Sequence, residues 1–394
     1  MPTTVELATI RGFVLDSPTQ GVLDTDILGG TNFVDVSDRV RSISISRGKN
    51  RDLERYTAGS LSVTFNNEDR YFDPVAGTAL DLVPRIPIRV NMDGTATFRG
   101  SVNDWQFSYS TDGKSDATVE ATDDFVVLAR QNILSSGTAS AQTTGERVSA
   151  VLDMATVDWP ADRRNIDTGD QSVLAQAFDG ENALEYLQLV EATERGQLFM
   201  AKDGDLTFRS AGSSAARSDS LVTFADDGVS GIPFTNTAID YGSELLYNRA
   251  VVSSPTGTAT AGDTLSQVTY GIVQTDVEVL NTTSEELTET AEYIVAKYSQ
   301  PELRFNSLTV TMETLSTSQR AQVLNLEISD VARILFTPNA VGSAIDLYGQ
   351  IIRISHAQSP GRHDVTFGFD SLDFAPLVLD DAVFGKLDSG RLGF

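Results

Sequence analysis

The chain has 394 residues, 40% of them hydrophobic, and carries 29 basic against 55 acidic side chains for a formal net charge of −26. Its length predicts two to three domains with sizeable cores. The acidic balance excludes a surface that wraps nucleic acid or rests on an anionic membrane, because either needs clustered Lys and Arg.

The densest basic group, Arg47, Lys49 and Arg51, is followed at once by Asp52 and Glu54. The plainest role for the net charge is solubility of a long-lived assembly. With no cysteine, disulfides, thiol nucleophiles and cysteine-held metals all drop out. No run approaches the roughly 18 apolar residues of a membrane-spanning helix. The opening MPTTVELATIRGF lacks the basic and apolar regions of a secretory signal. Synthesis in a cytoplasm, with no stable membrane insertion, is the expectation.

The N-terminal third reads as strands. Val40 to Ser46 and Leu61 to Phe65 alternate apolar and polar, the period of a half-buried strand. Ile86 to Val90 does so too, and Pro87 there predicts an edge. Asp93-Gly94 and Asp112-Gly113 are hairpin signals on either side of a long run from Thr95 to Tyr109. A barrel or sandwich over residues 1–132 follows. The period then changes. Val148, Val151 and Leu152 have helical spacing, as do Ala183, Leu187 and Val190, with Gly196 as the expected C-terminal cap. The hairpin Leu198 to Arg209, turning at Asp203-Gly204, completes an α+β insert over 144–210. Ser210 to Ser220 reads as a loop, and strands resume at Ala250 to Val252 and Val268 to Val279. A helix over 283–298 has Thr283 and Glu286 at capping-box spacing and Pro301 just beyond it.

Residues 211–374 repeat the N-terminal module. SLSVTF (Ser60 to Phe65) matches SLTVTM (Ser307 to Met312), and Arg85-Ile86 matches Arg333-Ile334. Phe98-Arg99-Gly100 matches Leu347-Tyr348-Gly349, and GKSDATV (Gly113 to Val119) matches GRHDVTF (Gly361 to Phe367). A second pairing aligns Val14 to Gly30 with Val378 to Phe394 without a gap. One of these segments precedes the first module and the other follows the second. If they dock in equivalent grooves, the extended segment 375–394 crosses to a neighbouring subunit. The fold class expected is mainly β: two related tube-type β-barrels, plus a smaller helix-hairpin domain as the α+β insert. Three such chains in a ring present six similar modules, so a homotrimer fits a six-fold surface.

The run from Asp35 to Pro74, with Arg-Gly after its first strand, Ala-Gly before the next and a closing Tyr-Phe-Asp-Pro, resembles the opening barrel of minor tail proteins of long-tailed bacteriophages. Pro84 to Val90 followed by Phe98 to Trp105 continues the likeness, and Phe384 to Phe394 resembles the ends of such proteins. With two barrels flanking an insert, the family approached is the baseplate or tail-tip hub. That resemblance implies a virion structural protein that assembles in the host bacterial cytoplasm and sits at the tail tip. It implies a homotrimer lining the DNA channel. The implied partners are a distal tail protein ring or tail tube, a tape-measure protein, and tip fibre or receptor-binding proteins. No lysin domain is visible after the second barrel. The alternatives are a hexameric distal tail protein, which predicts one tube barrel per chain, and a carbohydrate-binding or hydrolytic cell-surface protein. The last would want an export signal and an aromatic or acid-lined cleft.

Few residues invite chemistry. His363 beside Asp364 would be half of a triad, but no Gly-x-Ser-x-Gly elbow occurs. Ser115 takes the matching place in the first copy, so an exposed structural histidine is expected at 363. His356 lies on a strand and its facing is open. NNEDRYFDP (Asn66 to Pro74) gathers three acids and two amides, ligand types that suit Ca²⁺. EF-hand spacing is missing, so a solvated turn is expected. Asp203-Gly204-Asp205 reads as a turn, and Trp105 and Trp159 as core. No phosphate loop, zincin motif or dinucleotide fingerprint is present. No catalytic residue, cofactor or metal site is expected, and any channel should be lined by acids.

Overall fold

The computed structural model describes residues 2–9, 32–51, 53–75, 82–215, 222–301 and 303–371. The aligned terminal segments, Val14 to Gly30 and Val378 to Phe394, lie outside the described residues.

The first half holds β1 (Thr3–Thr9), β2 (Asn32–Asp35), β3 (Val40–Gly48), β4 (Thr57–Asn66), β5 (Pro87–Met92), β6 (Thr95–Tyr109) and β7 (Ser115–Thr122). Alternation sends Ile43, Ile45, Leu61, Val63 and Phe65 inward to full burial, and the serines between them outward. Asp93 (φ 48°) and Gly94 (φ 79°) make the two-residue turn between β5 and β6. β5 is not an edge. It pairs β6 on one side and β1 on the other, and Pro87 lies one residue beyond the last β1 partner, Ile88, so its missing N–H is not needed there.

The insert follows: α1 (Phe125–Leu128), β8 (Thr138–Ala139), β9 (Gln142–Thr143), α2 (Thr144–Leu152), β10 (Arg164–Ile166), β11 (Ser172–Val173), β12 (Gln176–Ala177), α3 (Ala183–Glu194), β13 (Gln197–Met200), β14 (Leu206–Arg209) and α4 (Ala211–Ala215). The left-handed residue ending α3 is Arg195 (φ 55°), not Gly196. Gly196 answers a different demand, since a Cβ there would lie 2.2 Å from the Arg209 carbonyl oxygen. α4 opens the stretch expected to be loop.

The second half comprises β15 (Val222–Ala225), β16 (Asn236–Tyr241), β17 (Arg249–Ser254), β18 (Gly257–Gly262), α5 (Thr264–Tyr270), β19 (Gln274–Glu278), α6 (Ser284–Tyr298), β20 (Leu303–Thr311), α7 (Thr317–Asn325), β21 (Val331–Phe336), β22 (Ile345–Ser359) and β23 (Arg362–Ser371). The capping box at Thr283 and Glu286 is formed. Val268 to Val279 splits into the end of α5 and β19, because Asp263 caps a helix there through Leu265 and Ser266. α7 has its own capping box, Ser316 with Gln319. β17 to β19 and α6 build a small separate core around Val252, Leu287 and Ala291.

The duplication is visible in hydrogen-bond register. The β6–β7 and β22–β23 hairpins each carry a bulge three residues beyond the matched glycine, at Asn103 after Gly100 and at Ile352 after Gly349. Past it, Asp104 faces Glu120 and Arg353 faces Gly368, again matched positions. The partner of Arg333 in the first copy is Arg89, not Arg85: each stands opposite the residue just before its glycine.

Two closed barrels were expected. Among the described residues neither half closes. Instead β3, the outer strand of the first half, pairs antiparallel with β22 of the second, from Gly48 opposite Arg353 to Ile43 opposite Gln358. One sheet of 13 strands results, in the order β16-β20-β23-β22-β3-β4-β7-β6-β5-β1-β2, with β21 beside β22 and β15 beside β21. An edge satisfied by the other half has no need of closure. A single apolar cluster runs from Val5 to Phe369 through both halves and the insert.

Gly48 marks the closest approach of the halves. Its φ is 111°, and a Cβ would lie 2.1 Å from the Ile352 carbonyl oxygen. Gly48→Ala is expected to lower unfolding free energy by about 2–4 kcal/mol in urea titration. Gly94→Ala, at positive φ but with open space around it, should cost only about 1–2 kcal/mol.

Candidate functional site

Alternation that buries one face of the joined sheet leaves the other polar. Across eight strands the directly opposed residues are Ser101, Thr122, Ser60, Ser46, Ser355, Thr366, Thr309 and Asn236. Seven hydroxyls and one amide thus form a row perpendicular to the strands and crossing the junction between halves. Parts of it are internally bonded, as in Thr309 with Thr366 at 2.9 Å and Ser355 with Ser46 at 3.4 Å. Of the carboxylates on this face, Asp116 meets Arg41 at 3.2 Å and Asp364 accepts from Thr311 at 2.8 Å and Arg362 at 2.7 Å, while Glu120 accepts from the Ser62 hydroxyl at 2.8 Å and stands opposite the exposed Asp104. The row itself is a neutral hydrogen-bonding strip, with Asp104 and Glu120 to one side of it.

Behind it, one buried arginine ties three regions together. Arg47 in β3 donates to the Met200 carbonyl of the insert at 3.2 Å and to Glu327 of the second half at 2.9 Å. Glu327 also accepts the Lys202 N–H at 2.9 Å, while the Lys202 ammonium donates to the carbonyls of Leu324, Asn325 and Leu326, ending α7. Burial pulls the Lys202 ammonium below its usual range. Asp123, near Arg47, is pushed up to about 7 by burial although Gly59 and Phe125 donate to it. Burial also pushes Glu191 up to about 7. Lys297 and Asp370 form a second buried pair at 2.7 Å, fixing α6 to β23.

His363 is 1% exposed, contrary to the expectation of an exposed histidine. Its strand position faces the core, and His356 on β22 faces the same way, with Nδ1 3.1 Å from His363 Nε2. The pair contains both histidines of the chain. Asp364 points to the opposite face, so no His-Asp dyad forms. Ser115, matched to His363, is buried in the same manner. In the Asn66–Pro74 turn each acid is engaged: Glu68 with Arg41, Asp69 with Arg39, and Asp73 with Arg70 and the Val75 N–H. Among the described residues no group of three or more His, Asp or Glu is placed to hold a metal. Asp203 and Gly204 make the expected turn, with the Gly204 N–H donating to Ala201. Trp159 is core, donating to the Arg163 carbonyl at 3.0 Å. Trp105 is only half-buried, in a row with Phe107 and Tyr109 along β6.

No protein-family model matches the sequence, and no curated protein matches it. Solved structures do. The 43 kDa tail protein of prophage MuSo2 from Shewanella oneidensis covers 94% of this chain and 97% of its own at 13% identity, with a TM-score of 0.60. The fold is that of phage tail proteins. A tail protein from Neisseria meningitidis MC58 gives a TM-score of 0.62 at 10% identity, over 94% of this chain and 98% of that one. The prophage tail protein gp18 from Listeria monocytogenes EGD-e gives 0.53 at 12%, over 93% and 95%. These likenesses extend across both halves and the insert of the tail-protein fold.

Two outcomes follow from the buried groups. Arg47→Met strands Glu327 and should cost about 3–5 kcal/mol, with Arg47→Met/Glu327→Leu recovering part of the loss in a denaturation double-mutant cycle. Burial depresses both histidines, so below about pH 6.5 the unfolded chain takes up protons the folded one refuses, and stability falls with pH. Asp123 and Glu191 act oppositely, since the folded chain holds their protons between pH 7 and the ordinary carboxylate range. Removing the histidine contribution with His356→Leu/His363→Leu should therefore raise the urea midpoint at pH 5, relative to pH 7.5, by more than in the wild type.

Proposed function

We propose that this chain is a structural subunit of a bacteriophage tail, the trimeric hub of the tip or baseplate. The carrying observation is the pair of similar modules joined edge to edge in one chain under a tail-protein fold. Three chains then supply six modules in a ring, which matches a six-fold tube above while leaving three-fold symmetry for tip components below. The partners in this reading are a second and third copy, a distal tail ring or tail tube, a tape-measure protein, and tip fibres or receptor-binding proteins. Its place is the virion tail tip, after assembly in the host cytoplasm.

The hydroxyl-rich face is the one we assign to the DNA channel. The sequence predicts an acidic lining. On this face a row of neutral hydroxyls meets the passing strand, and Asp116 and Asp364 are paired with arginines. Asp104 and Glu120, with no basic partner among the described residues, add to the repulsion that a net charge of −26 supplies. No catalytic role is assigned, because the buried ionisable groups are engaged in joining elements.

Native mass measurement of the assembled particle should give three chains. Six chains would replace this reading with that of a hexameric distal tail ring.

A further inference from the structure

Among the described residues the unpaired edges of the large sheet include the outer edge of β2, which pairs only β1, the outer edge of β16, and β6 beyond Val102 on its β5 side. Each of the last two has a counterpart in the other half that is paired. β6 matches β22, and β16 matches β3, since each of the latter lies outside the Ser-Leu strand of its half, β20 or β4. β21 and β3 follow one another along one side of β22. Along the same side of β6, β5 is present and, among the described residues, no strand takes the place of β3.

We infer that β16 of one copy fills that place on β6 of the next, repeating between chains the junction that β3 and β22 make within a chain. This rests on the trimer reading, and it names the surface. Three internal and three external junctions then close six modules into a ring. The internal junction dictates the register. Ser355, six residues after Gly349, faces Ser46, which stands opposite the serine before Leu61. The same steps put Gln106, six residues after Gly100, against Ala238, which stands opposite the serine before Leu308. Ser108 then faces Asn236.

The inward side chains support the match. Ile354 and His356 are buried where β3 covers them. Their counterparts, Trp105 and Phe107, are only half-buried, and Tyr109 is 56% exposed. The buried Trp105 Nε1 has no hydrogen-bond partner among the described residues. In the inferred register Trp105 meets Ile239 and Phe107 meets Thr237, which covers the row. Neither edge carries the proline or lysine that keeps single edges apart. The one like-charged pair, Asp104 with Asp240, falls at the end of the run, where Asn306 donates to Asp240 at 2.7 Å.

The chain has no native cysteine, so the register is testable by oxidative cross-linking. Gln106→Cys/Ala238→Cys should yield covalent dimers and trimers, and a mixture of the two single variants should yield dimers only. Gln106→Cys/Thr260→Cys, with the second site on β18, should not cross-link. Absence of cross-links in a particle that weighs three chains overturns the strand pairing and leaves the trimer standing. A single-chain or six-chain particle without cross-links overturns both.

Discussion

The antiparallel pairing of β3 with β22 is the constraint on which the rest of the molecule depends. It consumes one sheet edge from each half, so two similar modules become one surface rather than two domains on a linker. It brings the backbone at residue 48 so near Ile352 that only glycine fits. It also fixes where Arg47 points. Strand alternation sends that side chain inward at the junction, where the insert and the α7 region deliver their carbonyl and carboxylate.

The charged residues of this acidic chain therefore divide into two populations. Those inside hold segments distant in sequence: Arg47 with Glu327, Lys202 with the end of α7, Lys297 with Asp370. A buried pair of this kind gives little net stability but penalises any arrangement that separates its members. It serves to select one relative placement of first half, insert and second half. Those outside lie on the solvent-facing surface, in pairs such as Arg39 with Asp69 and Arg333 with Asp346.

Much of this was legible in the sequence. Period-2 alternation, the Asp-Gly turns and the capping box at Thr283 found their elements because each is a local rule obeyed by local residues. The duplication was legible from short matches, although Arg85 was paired with the wrong arginine copy because spacing alone does not report register. Other features were hidden for identifiable reasons. Pro87 reads as an edge because proline lacks a donor, yet it stands one step past the last partner of β1. His363 reads as exposed because it follows a turn, whereas the strand starts at once and faces it inward. The helix α7 had a signal, Ser316 with Gln319, that its polar composition obscured. The joining of the modules into one sheet has no local signature, since it depends on which edge remains uncovered after each half has folded.

One difference between the copies bears on how such a molecule changes over time. Leu61 faces Ala121, but its counterpart Leu308 faces Phe367, two residues short of the equivalent position. A slip of one would have turned the core face outward; a slip of two keeps every side chain on its own side. Duplicated sheets can thus diverge in discrete steps of about 7 Å along a strand. Each step alters the tilt and pitch of a module while its chemistry stays as it was. A descendant of one ancestral module becomes two unequal neighbours in this way without passing through an unfolded intermediate sequence.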